Sequence, residues 1–241
     1  MGKDILWIIP ARSGSKSIIN KNIKLLNNIP LIEYRIKSAL TIAEENRVWV
    51  STDSNEYASI AIKAGAKVPF IRPDYLSNDT ASSNDVVLHA INFAEKSGLK
   101  FNFIGLLEPT SPLVYFSDLL NSLNILKKNK DASSIVAVEE TRPNTFFIQN
   151  KSEYLSELAK RFSSKENLGR QEFKKQITPS GGFYISRWDD FKLNKTFYTE
   201  KTLPYILPDE CSIEIDEPFD WVLSEFLLKE KNVDIKKIFK E

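Results

Sequence analysis

The run Ile5-Leu6-Trp7-Ile8-Ile9 is apolar without a break, rich in β-branched residues, and closed by Pro10. A strand with one wet face alternates apolar and polar residues, whereas an unbroken run ended by a residue that cannot donate to a ladder predicts a strand covered on both faces. Such strands belong to parallel sheets, and the covering elements are helices. The chain downstream supplies them. Leu31-Ile32, Ile36 and Ala39-Leu40 recur at helical spacing, and Val48-Trp49-Val50-Ser51-Thr52 reads as the next strand. A helix from Asn55 to Ala64, closed by Gly65, precedes a predicted strand from Val68 to Ile71. A helix from about Asp85 to Lys96, the strand Phe103 to Leu107, a helix with Leu119, Leu120, Leu123 and Leu126 on one face, and the strand Ser134 to Val138 continue the alternation. The pattern predicts an α/β fold: a mostly parallel sheet between two helix layers, with the Ile5 run as its central strand.

From Glu139 to about Thr178 the pattern lapses into a polar, Lys- and Glu-rich stretch dotted with Phe146, Phe147, Tyr154 and Phe162. This reads as an insertion that leaves the sheet. The sheet resumes at Gly182-Phe183-Tyr184-Ile185-Ser186, and a last helix is predicted to bury Phe219, Val222, Leu223, Phe226 and Leu227. A chain of 241 residues fits a single domain, 1–241, carrying the insertion 139–178.

Several classes of function are excluded early. Thirty-three Lys+Arg against thirty-two Asp+Glu leave a net charge of +1, so no global field holds a nucleic-acid backbone. No apolar run approaches the roughly 20 residues that span a bilayer, and the start carries no export pattern, which predicts a cytoplasmic protein without a membrane partner. Cys211 and His89 are the only residues of their kinds, which rules out an intrachain disulfide and the usual zinc cages and nearly eliminates histidine-based hydrolase triads. Both read as structural. Hydroxyls, carboxylates, amides, Lys and Arg remain, a set suited to phosphate and hard metal ions.

Five segments concentrate those groups. Pro10-Ala11-Arg12-Ser13-Gly14-Ser15-Lys16-Ser17, running on to Lys21-Asn22, follows the first strand directly, where open α/β sheets bind ligands. Small residues there let backbone N–H groups approach an anion, and Arg12, Lys16 and Lys21 balance its charge; the plainer alternative is a solvated basic turn. It matches neither a Walker A loop nor a Gly-x-Gly-x-x-Gly turn. Ser51-Thr52-Asp53-Ser54 either presents a carboxylate at the same rim or caps the next helix through Asp53 or Ser54. Arg72-Pro73 with Asn78-Asp79-Thr80-Ala81-Ser82-Ser83 either holds a base edge or is a polar loop with an N-cap at Ser83 or Asn84. Leu107-Glu108-Pro109-Thr110-Ser111-Pro112-Leu113 is stiffened by its prolines, so Glu108, Thr110 and Ser111 are presented in fixed geometry, unless it is only a rigid connector. Ser212-Ile213-Glu214-Ile215-Asp216-Glu217, if extended, puts Glu214 and Asp216 on one face and the isoleucines in the core. Two such carboxylates suit Mg²⁺, or mark an acidic edge strand.

Together, Ile9-Pro10-Ala11-Arg12-Ser13-Gly14-Ser15-Lys16 with Lys21-Asn22, Val50-Ser51-Thr52-Asp53, Arg72-Pro73, Asp79-Thr80-Ala81-Ser82, Pro109-Thr110-Ser111-Pro112-Leu113 and Ile213-Glu214-Ile215-Asp216 resemble the acylneuraminate cytidylyltransferase family, in order over nearly the whole chain. The resemblance implies a Rossmann-like nucleotidyltransferase fold and Mg²⁺-dependent transfer of CMP from CTP to an acidic nine-carbon sugar. It further implies a homodimer in which the insertion helps cover the partner's sugar site. By the same resemblance Ala11 to Lys16, with Lys21, hold the triphosphate, while Asn22, Arg72, Asp79 and Ser83 surround the cytidine. Glu108, Thr110 and Ser111 lie toward the acceptor, as do Arg170 and Gln171 from the insertion, and Glu214 and Asp216 hold the metal. Arg12, Lys16, Lys21 and Asp216 carry the chemistry.

Three positions depart from the family pattern: Glu108 replaces a common Gln, Val114 a frequent Arg, and Glu214 the first Asp of an Asp-x-Asp pair. A carboxylate at 108 cannot donate as an amide does, which argues against plain N-acetylneuraminate as the acceptor. Two alternatives accompany the leading reading: a cytidylyltransferase for an eight-carbon 3-deoxy keto-sugar acid, and a non-catalytic nucleotide-binding relative.

Overall fold

The computed structural model describes residues 4–78, 80–141, 176–230 and 232–240. Arg170, Gln171 and Asp79 lie outside these. The first strand, β1 (Ile5–Pro10), is buried on both faces: Ile5, Trp7 and Ile9 enter one core, and Leu6 and Ile8 the other. A two-residue hairpin, β2 (Leu25–Leu26) and β3 (Ile29–Pro30), turns at Asn27 and Asn28, both with positive φ. Helix α1 (Leu31–Ile42), β4 (Val48–Ser51), α2 (Asn55–Lys63), α3 (Ser83–Lys96), β5 (Phe103–Leu106), α4 (Phe116–Lys128) and β6 (Ser134–Glu140) follow. After the insertion come β7 (Ile177–Arg187), α5 (Trp188–Asn194), β8 (Thr202–Ile206), α6 (Pro218–Lys229) and α7 (Ile235–Ile238).

Among the described residues six strands form one sheet in the order β4-β1-β5-β7-β6-β8. All neighbouring pairs are parallel except those made by β7, which runs against both β5 and β6. β1 is therefore an interior strand but not the middle one. Helices α1 and α4 cover the face carrying Trp7 and Ile9, and α3 and α5 cover the other. Between β1 and β5, Trp7 pairs in register with Gly105, where a Cβ would overlap the six-membered ring of the indole.

A third cluster joins the periphery to this frame. Ile18, Leu26, Leu31, Tyr34, Leu113, Ile215 and Trp221 pack with the C-terminal residues Val233, Ile238 and Phe239. It binds the loop after β1, the β2–β3 hairpin and the segment before α6 into one body, so their polar residues share one rim.

The structure corrects several expectations. Val68 to Ile71 is not a strand; Lys67 and Ile71 make isolated parallel bridges to Trp49 and Thr52. Pro69, lacking an N–H, interrupts the ladder between them. The segment Ser212 to Glu217 is irregular rather than an edge strand. In α6 the exposed residues are Phe219, Val222 and Phe226, and the buried ones are Trp221, Ser224 and Leu228. That helix carries two apolar stripes, and the one bearing the larger side chain, Trp221, faces the core, with the Lys24 ammonium 4.4 Å over its ring. The sheet also runs into both ends of the insertion, since Glu139 pairs with Thr178 and Glu140 with Ile177. Among the described residues no helix is long and apolar enough to cross a membrane.

Candidate active site

The strand ends at the rim of the sheet release the loops that build a cleft of about 390 Å³, lined by Arg12, Ser15, Lys16, Lys21, Asn22, Arg72, Ser83, Glu108, Thr110 and Asp216. Pro10, Ser17, Leu76, Asn78, Ala81, Val86 and Pro109 complete its wall. Its lining is mixed: Arg12, Lys16 and Lys21 favour an anion, while Leu76, Ala81 and Val86 offer apolar surface for a flat ring.

The loop after β1 is held from both sides. Ala11 continues the β1–β4 ladder by donating to the Ser51 carbonyl and is itself packed in the core, so it does not line the cleft. The Ser13 amide and hydroxyl each donate to one oxygen of Asp53, both at 2.9 Å. Ser54, not Asp53, caps α2 by accepting from the Tyr57 amide, which leaves the Asp53 carboxylate for the loop. Ser13 and Gly14 thus shape the loop without facing the cleft.

Lys21 joins this loop to the acidic segment. Its Nζ lies 2.8 Å from the Ile215 carbonyl and 3.1 Å from Asp216 Oδ1. The Ser17 hydroxyl donates to the Asp216 carbonyl at 2.5 Å, and the Ile215 amide donates to the Thr110 carbonyl at 2.7 Å. Three segments far apart in sequence therefore meet around Asp216, whose side chain stays 67% exposed and so remains available to a ligand.

On the opposite wall Ser82 caps α3 in a capping box with Asp85. The cap thus precedes both the Ser83 and the Asn84 expected, and Ser83 is free to donate to Glu108 Oε1 at 2.7 Å. Glu108 is pushed above the usual carboxylate range by burial, against the pull of the Ser83 hydroxyl, with Glu214 pushing it further. Arg72, buried, spends Nη2 on the Ser51 carbonyl and Nη1 on the Leu76 carbonyl; burial lowers its pKa to about 10. It braces the wall as much as it faces a ligand. Ser111 is wholly buried and does not line the cleft.

Glu214 belongs to an adjoining cavity of about 780 Å³ that shares Asp216 and is lined also by Glu139, Glu140, Thr178, Asp209 and Asp220. Its carboxylate accepts the Gly181 amide, and a Cβ at 181 would lie 2.6 Å from the Glu214 carboxyl carbon. Burial raises the Glu214 pKa, partly offset by that amide. No cluster of three or more metal-binding side chains occurs among the described residues. Two carboxylates beside a cation-lined cleft are nonetheless a donor set that fits Mg²⁺, which takes one or two protein carboxylates and fills its octahedron with phosphate and water. Val114 is buried against Gly182, and His89, with its edge on Phe70, and buried Cys211 lie outside the cleft lining.

The sequence left two contributors unresolved: Asp53 could not be told from a helix cap, and Ser17 gave no signal beyond its place in the loop.

The sheet order and the rim cleft are those of a Rossmann-like α/β fold of the nucleotidyltransferase kind. A CMP:2-keto-3-deoxy-manno-octonic acid synthetase complexed with CTP superposes with a TM-score of 0.65 at 16% identity, covering 95% of this chain and all of that one. A 4-diphosphocytidyl-2C-methyl-D-erythritol synthase from Anaerococcus prevotii gives 0.60 at 12% identity, with the same coverage. Residues 6–205 match the cytidylyltransferase family model, and the chain belongs to that family. It is 32% identical to CMP-N,N'-diacetyllegionaminic acid synthase of Legionella pneumophila over 93% of this chain and 96% of that protein. It is 30% identical to an N-acylneuraminate cytidylyltransferase of Escherichia coli over 96% of this chain, but spans only 54% of that protein. A pseudaminic acid cytidylyltransferase of Campylobacter jejuni is 29% identical over 93% of this chain and 96% of its own length.

Proposed function

We propose that this chain transfers CMP from CTP to a nonulosonic, sialic-acid-type sugar and releases pyrophosphate. The observation that carries the reading is the Lys21 bridge: one ammonium ties the basic loop to the Ile215–Asp216 segment, so phosphate-binding cations and a carboxylate stand at one rim. The named activities of the Legionella and Campylobacter relatives support the acceptor class.

In this reading Arg12, Lys16 and Lys21 hold the triphosphate, and the apolar end with Asn78 and Ser83 receives the base. The anomeric hydroxyl attacks the α-phosphorus in line; the new O–P bond forms as the bond to pyrophosphate breaks, and the hydroxyl proton leaves to solvent. The protein orients the two reactants and offsets charge gathering on the phosphate oxygens, without a covalent enzyme intermediate. Mg²⁺ held by Asp216 and Glu214, when bound, supplies Lewis-acid polarisation and a template for the phosphates. The working assembly is a cytoplasmic homodimer, testable by sedimentation.

Pyrophosphate release is measured with purified protein, CTP, Mg²⁺ and a panel of nine-carbon acidic sugars, with an eight-carbon keto-sugar acid alongside. Turnover of a nine-carbon member is expected. Turnover of the eight-carbon acid alone moves the reading to that substrate, and silence across the panel from protein that CTP still stabilises leaves a non-catalytic nucleotide binder.

A further inference from the structure

The Ser83 hydroxyl spends its single proton inside the cleft wall: it donates to Glu108 Oε1 at 2.7 Å, and both residues line the cleft. A serine hydroxyl has one proton and two lone pairs, so with the proton committed the Ser83 oxygen can only accept from whatever enters. The polarity is the same for a carboxylate and for an acid protonated on Oε2, since Oε1 accepts in both. Ser82 takes the capping of α3, which leaves Ser83 to this task. Val86, three residues on, lies on the same side of the helix and lines the cleft with Leu76 and Ala81, so the fixed acceptor adjoins apolar surface. The polar neighbours are of the opposite kind or already occupied. Asn78 Oδ1 accepts from the Thr80 amide and hydroxyl and from the Ala81 amide, while its Nδ2 donates to the Tyr75 carbonyl. Arg72 has donors alone, with Nη1 and Nη2 on the Leu76 and Ser51 carbonyls.

We propose, resting on the cytidylyltransferase reading, that Glu108 is a positioning residue for base choice: by holding the Ser83 hydroxyl as an obligate acceptor, it makes the cleft wall take the exocyclic amino group of cytosine and refuse the carbonyl that uracil carries at the same position. Cytosine presents a donor there, whereas the keto pyrimidine presents an acceptor. One nucleotide therefore gains a hydrogen bond, and the other sets its lone pairs against those of Ser83. Glu108 touches neither base; its effect passes through the serine.

Calorimetric affinities of the purified whole chain for CTP and for UTP, each with Mg²⁺, decide it through their ratio. S83A is expected to lower the preference for CTP about tenfold by weakening CTP, the loss of about one hydrogen bond. E108M frees the Ser83 proton and lowers the preference by a similar factor, chiefly by tightening UTP, a gain that mere damage to the wall does not produce. S83A/E108M matches S83A in its ratio, because Glu108 acts only through that hydroxyl. E108Q, whose Oε1 still accepts, and S83T, which keeps the hydroxyl, retain the wild-type ratio. An E108M ratio equal to wild type, or losses that add in the double variant, overturns the proposal. E108A takes the place of E108M if the latter does not fold; if neither folds, the carboxyl serves the fold alone and the proposal fails. A wild-type chain that binds neither nucleotide refutes the cytidylyltransferase reading and this proposal with it, whereas an S83A protein that prefers CTP as strongly as wild type refutes this proposal alone.

Discussion

The two cavities that share Asp216 are opposites. The cleft at the β1 loop includes three cations of that loop, Arg12, Lys16 and Lys21, whereas the neighbouring cavity is walled by Glu139, Glu140, Asp209, Glu214, Asp216 and Asp220, with no Lys or Arg among its described lining residues. The first is suited to an anion by charges the chain already owns. The second disfavours an anion unless a cation is brought in. Asp216 lines both, so the contrast between them turns on that residue.

The sharpest way to break that contrast is at the boundary itself. D216N is expected to lower turnover by about 10²–10³-fold, the loss typical when one preorganised charge at a transition state is removed. CTP should still stabilise it thermally in the absence of metal; a variant with unimpaired turnover would remove Asp216 from the chemistry. K21M strikes the basic side: losing a buried charge-assisted bond to the Ile215 carbonyl and its tie to Asp216 should weaken CTP binding by about 10–100-fold. Calorimetric affinities unchanged by K21M would separate the two segments functionally. D53N should give a smaller loss, about tenfold in CTP affinity, because it disturbs the Ser13 bonds and removes no cation of the loop itself. If D53N binds as tightly as wild type, the loop keeps its shape without that brace.

The smallest effect lies away from both cavities. Burial, with Arg72 and Lys96 nearby, holds the His89 pKa below its ordinary 6.5. The folded state then binds fewer protons than the unfolded chain, so stability rises with pH up to that ordinary value and is lost as the pH falls through it. H89Q should therefore flatten the decline in melting temperature below pH 6.5, and an identical decline in both proteins would dismiss His89 as a contributor.

What the sequence disclosed follows from how locally each feature is encoded. The Ile5–Ile9 run was legible because burial on both faces leaves no polar position to confuse the period. β8 was not, because Pro204 and its half-exposed residues imitate a loop; an edge strand tolerates that proline, and only its parallel pairing with β6 reveals it. The α6 stripe was misjudged because two apolar faces satisfy the same spacing, and packing against Ile215 and Leu26 chooses between them. In the site, the basic loop and the Glu214–Asp216 segment were visible as clusters, but their meeting was implied only by the family resemblance, since the bond from Lys21 to Asp216 spans 195 positions of sequence. Asp53 and Ser54 offered the same capping chemistry, and only the fold assigns one to each task.

One contact in the middle of the sheet reaches further than its size suggests. The Trp7 indole fills the space above Gly105, and a one-residue slip between β1 and β5 would bring Ile104 or Leu106 beneath it, a two-residue slip Phe103 or Leu107. Every misalignment therefore meets a side chain where only a hydrogen fits. The pair sets the register between β1 and β5, and with it how far each strand projects at the rim, and so whether the loop after Pro10 and the loop after Leu107 end up level with each other.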